Sequence, residues 1–238
     1  GSFENRTRIL REIIDGIRAD GNGIDIIVRL SAFDFVPFRP DPENSQPGKL
    51  GPGIPEDFSH CLPYRYGFGV NPDNPVEHDL TEATQFVALC DELGVKLVNL
   101  SAGSPYYNPH IQRPAAYPPS DGYQPAYDPL IDVERQIQVV RRMREAAPED
   151  IAIAGCAYSY LQDFLPHVTQ YIVREGWVDV IGLGRMVLSY PDMLPDAMAN
   201  GALAPRKICR TFSDCTTGPR NGLISGCFPL DDYYKKRP

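Results

Sequence analysis

Apolar residues recur at helical spacing from the first turns of the chain. Ile9, Ile13, Ile14 and Ile17 share one side of a helix that Ser2 can cap and whose positive N-terminus suits Glu4. The run Asp20-Gly21-Asn22-Gly23 ends it. Residues 24–30, Ile-Asp-Ile-Ile-Val-Arg-Leu, are nearly continuous in the way of buried parallel strands. A helix over 79–93 follows, with Leu80, Ala83, Thr84, Val87 and Cys90 inward and Gly94 as its stop. The cycle repeats with a strand at 96–100 and a helix at 131–146, where Val133, Ile137, Val140 and Arg144 mark one face. A strand at 151–154 leads to a helix at 160–174, with Pro166 marking a kink or a late start. A strand at 178–181 and a last helix within 191–199 complete the pattern.

Strands of about 5–7 residues alternating with helices imply parallel βα units. Two architectures fit four such units: a small doubly wound sheet, or half of an eight-stranded barrel. Local pattern does not separate them. The opening helix has no strand before it and reads as the partner of a strand that is absent. The 24 prolines gather mainly in 37–75, 105–129 and 191–238, which are expected to be ordered loops or tails rather than strands.

A net charge of -8 argues against nucleic acid as the main partner, because phosphate-backbone binding needs surplus Lys and Arg. It leaves room for one local anion site. No run of 18 apolar residues occurs, so no membrane helix is expected, and the start shows no signal-peptide core. Six scattered cysteines are too few for a disulfide scaffold, which makes a reducing cytoplasm the default.

The best anion-site candidate is Ile181-Gly182-Leu183-Gly184-Arg185, directly after a strand: glycines let backbone amides approach a phosphate, and the arginine adds a charged fork. The same residues also make a tight turn with a surface arginine. Ala154-Gly155-Cys156-Ala157 follows the preceding strand and permits a second close backbone approach, or simply close strand packing. Arg6 and Arg8 lie in the first helical turns, where the dipole disfavours them, which points to an anionic or electron-rich partner or to pairing with Glu4 and Glu12. Cys209, Cys215 and Cys227 offer three thiols at x5 and x11 spacing. Sites of that kind take four ligands, so no iron–sulfur cluster or other metal is expected, and the thiols are read as small buried hydrophobes. His60, His78, His110 and His167 show no ligand spacing. Tyr106, Tyr107, Tyr117, Tyr123 and Tyr127 crowd one loop and either face a ligand or pack that loop down; Tyr106 is the substrate-contact candidate.

These motifs, in this order, resemble the NADH:flavin oxidoreductase/old yellow enzyme family. Gly1-Ser2-Phe3-Glu4-Asn5-Arg6-Thr7-Arg8 is similar to the family's Gly-Ser-x-Glu-Asn-Arg-x-Arg segment. Val28-Arg29-Leu30-Ser31 resembles its fifth strand, Ala154-Gly155-Cys156 its seventh, and Ile181 to Arg185 with Tyr190-Pro191-Asp192 its eighth strand and phosphate loop. The resemblance implies a parallel (β/α) half-barrel, strands 5–8 of a (β/α)8 barrel with long Pro-rich loops. It would form one domain over 1–238, with 201–238 as a C-terminal tail extension. It implies FMN as cofactor: Arg6 near the N1 and O2 side of the ring, Gly155 and Cys156 backbone near the phosphate, and Gly182, Gly184 and Arg185 completing the phosphate site.

The family's proton-donating Tyr and its substrate-anchoring His and Asn or His pair precede the Gly-Ser-x-Glu-Asn-Arg segment, so no catalytic acid is assigned in this chain. Where the iron–sulfur branch carries a further cysteine, Phe212 stands. The implied activity is hydride transfer from NADH or NADPH through FMN to an alkene or enone. The N-terminal half-barrel would come from the same or a separate polypeptide, and this chain alone would be inactive. The alternatives are a non-catalytic half-barrel that self-associates without flavin, as a homo-oligomer, and a small doubly wound phosphate-binding enzyme.

Overall fold

The computed structural model describes residues 1–21, 23–120 and 122–236; Asn22 of the expected helix stop and Pro238 of the last Pro-rich stretch lie outside them. The protein is α/β. Helix α1 (Phe3–Ala19) leads into β1 (Ile27–Ser31), and an excursion carrying β2 (Phe38–Pro40) and β3 (Gly53–Pro55) precedes α2 (Thr81–Glu92). Strand β4 (Leu97–Ser101), α3 (Pro109–Gln112), α4 (Pro129–Ala146), β5 (Ala152–Gly155), α5 (Leu165–Arg174) and β6 (Val180–Ile181) follow. Helices α6 (Met186–Ser189), α7 (Met193–Asn200), α8 (Asp214–Arg220) and α9 (Asp232–Lys235) close the chain.

The four parallel strands stand in the order β1-β4-β5-β6, so each βα unit places its strand beside the last, with no reversal of direction along the sheet. Val28, Leu30, Val98, Leu100 and Ile153 point to one face and pack with Ala83, Val87 and Cys90 of α2 and Val133, Val140 and Met143 of α4. Alternation sends the intervening residues to the other face, where Arg29, Asn99, Ala154 and Val180 form one row across all four strands.

The helical inner faces differ in detail from the sequence pattern. On α2, Ala83, Val87 and Cys90 are buried as expected, while Thr84 is only partly so and donates to Met143 Sδ at 3.6 Å. On α1 the buried residues are Thr7 and Ile14, and Ile9 and Ile13 are 67% and 54% exposed. The reason is topological: β1 is an edge strand, so the sheet covers α1 from one side only.

Other corrections have local causes. The first Pro-rich stretch does contain strands, β2 and β3, which pair antiparallel with Pro40 and Pro55 at strand ends; a two-stranded ribbon leaves a free edge where a missing N–H costs nothing. The expected helix at 160–174 splits into a 3-10 segment over Tyr158–Phe164 and α5, because Gln162 is left-handed (φ 49) and Pro166 sits in the first turn of α5. Strand β6 has two residues, having a neighbour on one side only. The tail carries α8 and α9 beyond the last expected helix, and at seven and four residues they are too short to show a period.

Of the Tyr-rich loop, Tyr123 and Tyr127 pack inward around a buried pair of titrating groups, while Tyr106, Tyr107 and Tyr117 are exposed. His110 Nδ1 lies 2.7 Å from the Tyr123 hydroxyl, and burial, with Arg135 nearby, pulls its pKa from 6.5 down to about 3. Asp132 contacts Arg135, yet burial outweighs that cation and pushes the carboxyl from 3.8 up to about 7. Folded His110 therefore holds fewer protons than the unfolded chain between about pH 3 and 6.5, and its stability contribution is lost as pH falls through that window. Folded Asp132 holds more protons between 3.8 and about 7, so its contribution is lost as pH rises. The two slopes oppose each other. His110→Gln is expected to leave a protein whose stability falls with rising pH over that range, and Asp132→Asn one whose stability falls with falling pH. Urea unfolding at several pH values checks this, and equal slopes in the two variants would contradict it.

Candidate functional site

A cavity of about 370 Å³ opens at the C-terminal ends of the parallel strands. Arg29 and Asn99 reach it from the row on the uncovered sheet face, Cys156 and Ala157 from the turn after β5, and Gly182, Leu183, Gly184 and Arg185 from the turn after β6. Gln112 and Arg113 enter from the end of α3, and Cys209, Thr211, Ser213 and Cys215 close it from the tail. Among the described residues three arginines line this cavity and no carboxylate does, in a chain of net charge -8. Among the described residues none of the three is ion-paired, whereas Arg6, Arg39, Arg135, Arg141, Arg144 and Arg210 all are.

Each candidate from the sequence has a definite place. Cys156, Gly182, Gly184 and Arg185 come together around the cavity. Gly155 sits just behind it: a side chain there would overlap the Tyr158 hydroxyl and press on Val140 Cγ1 at 3.3 Å, so its smallness serves packing. At Gly182 a Cβ would lie 2.9 Å from the Gly155 carbonyl oxygen. Gly184 is different, since nothing lies within 4 Å of where its Cβ would be and its φ is not left-handed. Neither packing nor backbone conformation requires glycine there, and the open space before it belongs to the cavity.

Arg6 stands apart from the cavity, bound to Glu82 of α2 and donating to the Gly1 carbonyl at 2.6 Å. Arg8 faces Glu12 at 3.8 Å. Tyr106 is exposed outside the cavity, and His110 is buried beneath the loop rather than facing it. The Cys156 thiol donates to the Leu100 carbonyl at 3.1 Å, and burial pushes its pKa up while Arg29 pulls it back. Among the described residues no group of three or more His, Cys, Asp or Glu is arranged to hold a metal ion, and no helix is long and apolar enough to cross a membrane.

Sequence reasoning missed several lining residues. Arg29 and Asn99 had a readable signal: each is the lone polar side chain within an apolar strand core. The Asn99 Oδ1 is buried without a hydrogen-bond partner, an acceptor left over beside Gly182. The strained residues carried no such signal. Among the described residues four that are not glycine have a positive φ, and three of them, Ala157, Thr211 and Ser213, line this cavity. Strain of that kind, about 1–3 kcal/mol per residue, persists where the surroundings over-determine it and gathers at functional sites. A comparison of the sequence with protein-family models and with curated proteins finds no match, so the cavity and its residues carry the functional assignment.

Proposed function

We propose that this chain binds the phosphate of FMN in the cavity and forms the flavin-phosphate half of an ene-reductase-type oxidoreductase. In this reading the four βα units are strands 5–8 of a (β/α)8 barrel. The observation that carries it is the pair of turns after β5 and β6 beside Arg29 and Arg185, neither ion-paired, with no carboxylate in the lining among the described residues. That arrangement suits a phosphate monoester, since backbone can approach at Gly184 and a guanidinium fork at Arg185 neutralises the charge.

The residues fit the cofactor: Gly184 fronts open space for the phosphate, and the Asn99 oxygen, an acceptor without a partner among the described residues, suits a ribityl hydroxyl. Bound FMN would supply the hydride chemistry, with NADH or NADPH as reductant and an activated alkene as acceptor. This chain's own part is to hold and orient. Arg185 and the Leu183 and Gly184 amides fix the phosphate end, because the Gly182 N–H is already given to the Gly155 carbonyl at 2.7 Å; Arg29 adds positive charge beneath it, and Thr211 and Ser213 close the tail side. Arg6, paired with Glu82 in this structure, would have to exchange that partner to reach the ring. The groups facing the rest of the ring, including a proton donor, would come from further polypeptide.

Titration with FMN and with riboflavin tests the reading, because the two differ only in the phosphate. FMN binding at least about tenfold tighter is expected for a charge-assisted site. Equal affinities would sink the assignment.

A second reading has its own observation. Both sheet edges expose apolar residues: Ile9, Ile13 and Ile27 beside β1, and Val173, Val187, Leu194 and Met198 around an apolar groove of about 920 Å³ beside β6. Such patches mark interaction sites, so a self-associating half-barrel without flavin predicts a dimer by sedimentation in the absence of FMN.

A further inference from the structure

Arg113 is the arginine of the cavity that the phosphate turns do not use. It follows α3, and its guanidinium crosses to the tail, where Nη1 donates to Thr216 Oγ1. That is the one side-chain hydrogen bond it makes among the described residues, out of five available N–H donors. The thiols of Cys215 and Cys209 lie near it, with Arg220 close enough to oppose it, and no carboxylate is among its neighbours of the described residues. Burial pulls its pKa below the ordinary arginine value. An arginine does not lose its proton in a protein, so a half-buried fork with spare donors calls for an acceptor. Arg29, by contrast, acts on Cys156. The cavity therefore has two cationic walls, one on the strand turns and one on the tail.

The tail wall is built rather than loose. Ala116 N donates to Thr211 Oγ1 at 3.1 Å, Ser213 Oγ donates to the Tyr117 carbonyl at 2.5 Å, and Ser120 N donates to Thr217 Oγ1 at 3.1 Å. Tyr117 and Phe212 add a ring contact at 5.5 Å. These contacts hold Thr211 and Ser213 left-handed on either side of Phe212, a conformation that costs free energy and fixes the wall in one shape.

We propose that Arg113 forms a second anion site in this cavity, which takes the carboxylate of a small unsaturated acid. A carboxylate matches the planar guanidinium fork in geometry and charge. Pro114, Ala115 and Leu183 line the cavity alongside and give a short apolar body somewhere to lie. The anion site is independent of the flavin assignment, being built from α3 and the tail; only the unsaturation of the acid rests on the ene-reductase reading.

Calorimetric titration of the full chain with cinnamate and with cinnamamide tests the site, since the two share a body and differ in charge. Cinnamate should bind at least about tenfold more tightly, the worth of a charged hydrogen bond. Arg113→Gln should remove that preference, and Arg113→Lys should keep the charge but lose most of it through loss of the fork. The lysine variant carries the test if the glutamine variant does not fold. Equal binding of acid and amide by the wild type, or an undiminished preference in both variants, would overturn the proposal. Titration with FMN in the same samples separates the two assignments: cinnamate preference without FMN binding removes the flavin reading and leaves the Arg113 site standing.

Discussion

Arg185→Ala should weaken FMN binding roughly 10- to 150-fold, which corresponds to about 1.5–3 kcal/mol for a hydrogen bond to a charged group. Arg185 stands where the chain leaves β6 and turns into α6, and its side chain lines the cavity with no carboxylate to neutralise it. Removing it deletes the fork and leaves the phosphate to the backbone amides of the turn. Riboflavin, lacking the phosphate, should bind wild type and variant equally. Fluorescence titration of both ligands reads the difference, and a loss under about threefold for FMN would show that the anion sits elsewhere.

The glycines around the same turns should separate stability from binding. Gly155→Ala is expected to destabilise the fold by about 1–3 kcal/mol, the usual cost of forcing a methyl group into a packed interior. The new Cβ would overlap the Tyr158 hydroxyl and crowd Val140. That hydroxyl is buried without a partner, so Tyr158→Phe alone should be neutral or stabilising, and in the Gly155→Ala background it should recover part of the loss. Gly184→Ala, facing open space, should leave the unfolding midpoint nearly unchanged while weakening FMN. Denaturant unfolding of the four variants reads the first set and flavin titration the last. A Gly155→Ala protein as stable as wild type would mean that Tyr158 can move aside.

The periodic parts of the fold were legible in the sequence because burial leaves a local record. The apolar runs at β4 and β5 and the inner faces of α2 and α4 follow from which side chains must leave water, and four successive βα cycles imply the sequential parallel order; the run at 24–30 marked β1, but as an edge strand it leaves Ile24 and Ile27 63% and 64% exposed. The turn at 182–185 was legible as a turn, because glycines directly after a strand mark one; the residues alone left open whether it faces an anion or only carries a surface arginine. Where the record is short or ambiguous the reading failed. The ribbon of β2 and β3 is three residues a side, and the choice of Ile14 over Ile9 and Ile13 depends on how much sheet lies beside α1.

The sequence by itself determined an α/β chain of repeated βα units with a glycine-and-arginine turn after the last strand as its best anion-site candidate. Only the tertiary structure decided what surrounds that turn. Arg113 lies 103 residues before Thr216, and Ala116 lies 95 before Thr211, so the tail wall exists only through docking of distant loops. The pairing of Arg6 with Glu82, the burial of His110 and the space before Gly184 are likewise facts of packing. A side chain's type states what it can bond; which of its possible partners arrives depends on the path of the whole chain, and no local period carries that information.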